Sequence, residues 1–325
     1  MEGSNATFEY VYDFYGSSAS WFAIYIFATS TFIVISNIFF TIMTLSTPKL
    51  RVNVANWFLV GLSISDQLHY LSHVVDAYAI YTGSINNRYW CSIAGAFVLI
   101  TGTCSFGFPA IIAADRYYKI CTISQPSGFS LSSALFSKRA TIPLIVSWFF
   151  IAAISNLPLM LNDAFGEDPS GFCGAKKFTS IPLLLGYEFS VVFAYFGSLV
   201  VTGVFYYRLA KWLKLHQTAS TGNRQEVDYT RSIMRVMKIV TLMPAFLDGP
   251  VMTLTAMQML LPEMPMWINR ALVVPYFLSS TANPWLTIAL VKQFRVSFLQ
   301  LLLNAKKSVI RNVDTVNRST IVRQL

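Results

Sequence analysis

The chain has 325 residues, 54% of them hydrophobic and only 12% charged, which is too apolar for a water-soluble domain of ordinary composition. Its net charge of +9 does not mark a nucleic-acid binder, because the basic residues lie between apolar runs and not on one contiguous face. No nucleic-acid partner is expected; the lipid bilayer is.

Seven apolar stretches long enough to cross a hydrocarbon core of about 30 Å follow one another. They lie near 21–46, 55–81, 89–114, 140–161, 180–207, 233–261 and 268–291. Each reads as a helix, because backbone groups in lipid must be paired within the segment and the runs are too long for barrel strands. The first lacks a short apolar core followed by a small-residue cleavage site, so it reads as a retained signal anchor. Within the second, Asp66, His69, His73 and Asp76 follow steps of three, four and three, which puts all four on one helix face. Lipid would reject that face, so it must point into the protein. The third run has no charged residue from Tyr89 to Ala114 and closes on Asp115-Arg116-Tyr117. The fifth carries Glu188 and the sixth Asp248. After the seventh, Lys292-Gln293-Phe294-Arg295 leads into Phe298, Leu299, Leu301 and Leu302, an amphipathic pattern suited to a membrane surface. No cysteine follows Cys173, so that helix carries no palmitoyl anchor.

Charge placement sets the orientation. Only Arg88, Lys176, Lys177 and Arg270 fall on one side of the seven spans, while the other 20 of the 24 basic residues fall on the opposite side. By the positive-inside rule the amino terminus is outside and the tail is cytoplasmic. The expected organisation is an extracellular amino terminus at 1–20, a seven-transmembrane bundle at 21–291, and a cytoplasmic amphipathic helix and tail at 292–325. Of four cysteines, Cys104 is mid-span and Cys121 is on the reducing side, so only Cys91 and Cys173 share an oxidising compartment. A Cys91–Cys173 disulfide is expected, with two free thiols as the alternative. Asn5-Ala6-Thr7 is a glycosylation sequon on the outer side; Asn317-Arg318-Ser319 has the same pattern in the tail, where it cannot be used.

These residues in this order resemble the rhodopsin-like (class A) G-protein-coupled receptors over the whole membrane region. The resemblance is carried by Asn37, by Leu62-Ser63-Ile64-Ser65-Asp66, and by Cys91 standing 25 residues before Arg116. Trp148, Pro158 and Asn283-Pro284 complete it. It implies an all-α membrane protein, a seven-transmembrane helix bundle with a short amphipathic cytoplasmic helix after the seventh span. It further implies coupling to a heterotrimeric G protein through Asp115, Arg116 and Tyr117, and a polar activation network in which Asn37, Ser105 and Asn283 converge on Asp66. In the family that network can hold a sodium ion; a hydrogen-bonded network without an ion is the other reading.

The chain also departs from the family pattern. Thr287 stands where the family usually has a tyrosine after the seventh-helix Asn-Pro, and the Phe-x-x-Cys-Trp-x-Pro signature of the sixth helix is missing. If Pro250 is the kink proline, Asp248 takes the place of the usual tryptophan; Pro244 is the alternative kink. Thr230 lies near the position that often supplies a glutamate to the third-helix arginine, with Glu226 and Asp228 close by. Within the family this thin match resembles divergent invertebrate receptors, including nematode chemoreceptors and peptide receptors. Amine receptors carry an aspartate 18 residues before the arginine, where this chain has Val98, so an aminergic ligand is disfavoured. Opsins carry a lysine six residues before the seventh-helix asparagine; Phe277 stands there, which excludes covalent retinal.

The candidate ligand-binding residues are therefore His69, His73, Asp76, Val98, Glu188 and Asp248, lining a cavity open to the outside. Seven acidic residues outside the membrane exceed the four basic ones, a mild field that favours cationic or peptide ligands. Two histidines at i, i+4 could hold a metal, but no third ligand is identifiable, and neither a metal nor an organic cofactor is expected. The expected function is a plasma-membrane receptor that binds an extracellular ligand, a peptide or a small chemosensory molecule, and catalyses nothing itself. A small-solute transporter or channel is the alternative; it should show paired half-spans or a repeat between halves, and neither is present. A membrane enzyme lacks any metal motif of specific spacing.

Overall fold

A computed structural model describes residues 16–82, 88–122, 134–167, 172–176, 178, 180–219, 239, 243, 245–254, 257, 266–304 and 307. The sequon at Asn5, the proline Pro244, Glu226, Asp228 and Thr230, and the tail serines and threonines lie outside the described residues. Seven helices occupy the positions of the predicted spans: α1 Ala19–Ser46, α2 Ala55–Thr82, α3 Arg88–Thr122, α4 Thr141–Leu161, α5 over 181–219, α6 Ala245–Leu254 and α7 Met266–Leu290. An eighth, α8 Lys292–Asn304, leaves α7 at 90°.

Four of these, α1, α3, α4 and α5, are long and apolar enough to cross a membrane by themselves. Helix α2, with 28 residues, has the length but is diluted by its polar stripe, and α6 is described over one short apolar stretch. The outward faces of α1, α4 and α5 are hydrocarbon, with Ile24, Ile35, Ile42, Phe150, Ile154 and Phe193 each exposed by half or more. A continuous apolar mantle of this kind would aggregate in water and is satisfied by lipid.

Two helices run past their predicted ends. Helix α3 continues through Arg116 to Thr122, and α5 continues through Arg208, Lys211 and Lys214 to Ala219. Hydropathy marks where a chain leaves hydrocarbon, but helical hydrogen bonding does not stop there. Nor did the sequence signal that α5 is wound as a π-helix over Phe189–Gly197, the wider turn that often marks a functional site.

The core has two halves. At the end that carries α8, Phe40, Met43, Phe58, Leu62, Phe108 and Ile112 pack with Phe294 of α8, whose ring stacks on Phe40 with centroids 5.2 Å apart. That contact pins α8 to the bundle, while Leu299, Leu302 and Leu303 remain on its exposed side. At the opposite end Ile26, Ile33, Tyr70, Ile80, Tyr276 and Phe277 pack around Phe172. Helices α3 and α4 touch because Gly107 has no side chain: a Cβ there would lie 1.9 Å from Cζ2 of Trp148. The indole N–H of Trp148 donates to the Cys104 carbonyl at 3.1 Å across the same contact.

Between α4 and α5 the chain forms a small antiparallel hairpin, β1 Phe165–Glu167 and β2 Cys173–Ala175. It lies against the outer end of α3, where Gly95 lets the backbone of Gly174 approach to 2.8 Å of its would-be Cβ. The predicted disulfide between Cys91 and Cys173 is present and closes 82 residues of chain. The Ser92 hydroxyl donates to the Phe165 carbonyl at 2.9 Å beside it.

Replacing Cys91 or Cys173 by serine is expected to cost about 2–4 kcal/mol by releasing one loop closure, and the double replacement no more than either single one. Thermal unfolding and surface labelling of the three variants check this. Additive losses would mean the two thiols act separately.

Candidate functional site

Three layers of polar side chains follow one another along the bundle from the hairpin end, and α2 contributes to the two nearest the hairpin. In the deeper of those two, Asp66 is 1% exposed and both of its carboxylate oxygens accept hydrogen bonds. The Ser105 hydroxyl donates to Oδ1 at 2.8 Å and the Asn283 amide to Oδ2 at 3.2 Å, so α2, α3 and α7 meet at one buried acid. Ser65, one residue earlier, donates to the Thr101 carbonyl at 2.8 Å and fixes the same contact with α3. Asn37, predicted to join this cluster, acts at one remove: its amide donates to the carbonyls of Ile33 and Ser280, and its oxygen accepts from Ser63 at 2.8 Å. Ser105 and Asn283 are therefore brought together with Asp66, and Asn37 instead ties α1 to α2 and α7. Thr287, in the tyrosine's place, donates to the Asn283 carbonyl of its own helix at 2.8 Å and is 2% exposed.

A cavity of about 60 Å3 opens on Asp66 and Ser105 and reaches Asp248 of α6. Asp248 lies deep, as its alignment with Pro250 requires, 7% exposed, with Oδ2 accepting from Ser279 at 2.9 Å. Tyr195 of the π segment lines the same space and donates to the Ala245 carbonyl at 2.5 Å, joining α5 to α6.

Above it lies a second cavity of about 130 Å3, walled by His69 and His73 of α2, Val98 of α3, Tyr187 and Val191 of α5, Met252 of α6 and Tyr276 of α7. The hairpin, through Phe172 and Cys173, forms its roof. His69 has its Nδ1 3.0 Å from the Val98 carbonyl, which accepts only from an N–H; its Nε2 is then the acceptor for the Tyr276 hydroxyl. Tyr70 donates to the Tyr276 backbone carbonyl at 3.1 Å, so α2 grips α7 through two neighbouring side chains.

Two predicted ligand residues are elsewhere. Asp76 lines neither cavity. One carboxylate oxygen accepts from the backbone N–H of Cys173 at 2.8 Å and the other lies 2.7 Å from Nδ1 of His73. An acid 1% exposed with both oxygens occupied is a fastener between α2 and the hairpin. Glu188 also stays outside both walls; Tyr187, one position earlier and 5% exposed, faces the outer cavity from that turn. Of the other candidates, His69, His73 and Val98 line the outer cavity and Asp248 the inner one. Tyr276, Met252 and Tyr195 were missed because aromatic and apolar side chains in apolar spans carry no contrast; the adjacency of Tyr276 to Phe277 was the one available signal.

Towards the far end of α3, Asp115 is completely buried and forms an ion pair with Lys119, one turn further along the helix. Lys119 was not singled out from sequence, although i, i+4 is the spacing such a pair requires. Tyr117 and Tyr118 pack on Phe205 of α5, with centroids 5.6 and 5.7 Å apart. Arg116 stands between these fixed neighbours, inside α3 and short of its end at Thr122.

The fastener role of Asp76 predicts that Asp76→Ala lowers stability by about 1–3 kcal/mol, because it strands the Cys173 N–H and the His73 imidazole in a buried site. Thermal unfolding of the purified protein measures it. An unchanged unfolding temperature would return Asp76 to the ligand side of the ledger.

With the geometry in hand, the comparisons are specific. The sequence profile of the seven-transmembrane receptors (rhodopsin family) matches residues 36–286. Squid rhodopsin, in its crystal structure, has the same fold: TM-score 0.75 at 14% identity, covering 89% of this chain and 86% of that one. No curated protein matches the sequence. At 14% identity the likeness to squid rhodopsin speaks for the fold alone, but the profile spans most of the chain and every motif described above from Asn37 to Asn283-Pro284. The chain belongs to the rhodopsin family of seven-transmembrane G-protein-coupled receptors, a multi-pass membrane protein and not an enzyme.

Proposed function

We propose that this receptor stands in the plasma membrane with its amino terminus outside, binds a small extracellular molecule in the 130 Å3 cavity, and drives nucleotide exchange on a heterotrimeric G protein at Asp115-Arg116-Tyr117. The observation that carries this reading is the composition of that cavity's wall. Side chains from five helices and the hairpin meet there, so one occupant touches every element whose relative position must change during signalling. A ligand shifts a conformational equilibrium only by its differential contacts with the two states, and a chamber at the junction of α2, α3, α5, α6 and α7 offers such contacts.

The size of the space favours a chemosensory-type small molecule, or a single side chain of a peptide, over a folded ligand. Phe277, 0% exposed and packed 5.1 Å from the His73 ring, fills the place of the opsin lysine and gives no amine for a covalent aldehyde. Below, the Asp66, Ser105 and Asn283 oxygens form a set that suits a sodium ion.

The inner end converts that shift into output. Arg116 offers a rigid planar fork of donors that suits backbone carbonyls of a partner helix. Its neighbour Asp115 is held by Lys119, a contact that opening of the bundle would load or release.

Two variants test the two ends separately in a cell assay of G-protein activation, challenged with soluble and volatile metabolites, peptides and amines. Arg116→Ala is expected to abolish activation while leaving surface level within about twofold, since it removes no buried contact of the outer half. Val98→Phe, which fills the outer cavity, should lower the response to the active compound at least about tenfold. Undiminished activation in Arg116→Ala would overturn the coupling role, and an unchanged response in Val98→Phe would move the ligand elsewhere.

A further inference from the structure

The two cavities share His69, Gly102, Phe106 and Tyr276 in their walls, so the outer chamber's floor is the inner chamber's ceiling. What differs is charge. The inner chamber has Asp66 and Asp248 in its wall, and no lysine or arginine is among the described residues lining either space. Asp66 has both oxygens occupied, whereas Asp248 has Oδ1 without a hydrogen-bond partner although the residue is 7% exposed. Asn283, on the same wall, likewise has its amide oxygen unpartnered. Both open atoms are acceptors. A buried acceptor left unmade is costly, and a buried carboxylate more so, hence the occupant that fits here is one that brings donors and positive charge.

The remaining wall specifies the kind of cation. Tyr70, Phe106, Tyr195 and Tyr276 surround the acids with aromatic side chains, the environment that holds an organic ammonium through ring faces as well as through a carboxylate. The space of about 60 Å3 takes an ammonium head but not the body of a ligand, and the apolar 130 Å3 chamber directly above takes that body. At Gly102, in the shared wall, a Cβ would come within 3.3 Å of the His69 ring, so the missing side chain keeps the partition between the two chambers thin there.

Resting on the reading of the outer cavity as the ligand chamber, we infer that this receptor recognises a small protonated amine bound head-down, with its ammonium on Asp248 and its apolar portion between Val98, Phe172 and Met252. Val98 removes the family's usual amine anchor from α3; the acid has moved to α6 and about one layer deeper. The exclusion of amines drawn from Val98 therefore applies to an anchoring position and not to positive charge.

The test uses the full-length receptor in lipid nanodiscs and reads thermal unfolding, so it does not depend on G-protein coupling. Primary n-alkylamines from methyl to hexyl are each compared with the alcohol of equal chain length, in sodium chloride and in choline chloride. The expected result is that the amines stabilise the protein at concentrations at least tenfold below their alcohols, with an optimum chain length. Asp248→Asn should abolish that tenfold preference and Asp66→Asn should keep it. Should Asp248→Asn not fold, Asp248→Glu supplies the check, because a carboxylate one methylene longer should keep the amine preference and move the optimum to a shorter chain. Equal action of amines and alcohols, an amine preference that survives Asp248→Asn, an optimum unmoved in Asp248→Glu, or stabilisation by sodium alone with nothing added by any amine would each overturn the inference. Loss of G-protein activation with the amine preference intact would instead fail the signalling reading and leave this site standing.

Discussion

The constraint on which the structure depends is that α2 carries two acids and two histidines through a layer where lipid surrounds the protein. Such a helix is stable only if every one of those groups finds a partner inside the bundle. The partners come from different elements: Ser105 of α3, Asn283 and Tyr276 of α7, and the backbone of Cys173 in the hairpin. Satisfying one helix thus fixes the relative positions of two others and of the hairpin. The more polar α2 is, the more of the fold it determines.

That requirement divides the stripe by depth. Near the outer surface Asp76 is spent on the hairpin, and through Cys173 it is continuous with the disulfide to Cys91. The roof of the outer cavity is consequently held from below by a carboxylate and from the side by a covalent bond. His69 and His73 lie in the middle and face the cavity, joined through Tyr276 to α7. Asp66 lies deepest, beside the one acid of α6 that retains an open oxygen. Along the bundle the roof comes first, then the two histidines, then the acids, and that order is the order of residues along a single helix.

How much of this was legible differed by layer. The spans, their order and the polar face of α2 were readable because charged and apolar residues contrast sharply, and steps of three and four identify a helix face without knowledge of what lies opposite. The disulfide was readable because topology left two cysteines in one compartment. What could not be read was which partner each polar group chooses. Asp76 and His73 look alike in periodicity, yet one is consumed by a backbone N–H from a loop nearly a hundred residues away, at a separation of 97, and the other is not. Glu188 shows the same limit: a polar residue in an apolar span does not say which way it points, and the last α-helical turn before the π-wound stretch turns Tyr187 and not Glu188 to the cavity wall. The extension of α3 to Thr122 and the Asp115–Lys119 pair were hidden because hydropathy reports the edge of the membrane and not the end of the helix.

Transduction then requires the same bundle to exist in two packings. The altered residues in α6 and α7, Asp248 for a tryptophan and Thr287 for a tyrosine, are both buried and both hydrogen-bonded, so polar contacts stand where the usual pattern of the family has rings. The measurement that tests the central claim most directly places the purified receptor in nanodiscs with a panel of heterotrimeric G proteins and follows nucleotide exchange, with solute flux measured in parallel in proteoliposomes. A receptor whose polar interior serves signalling will raise exchange on at least one heterotrimer above empty nanodiscs and leave flux at the lipid background. Flux through the polar interior, with no exchange on any heterotrimer, would contradict the account and make the stripe of α2 a transport path.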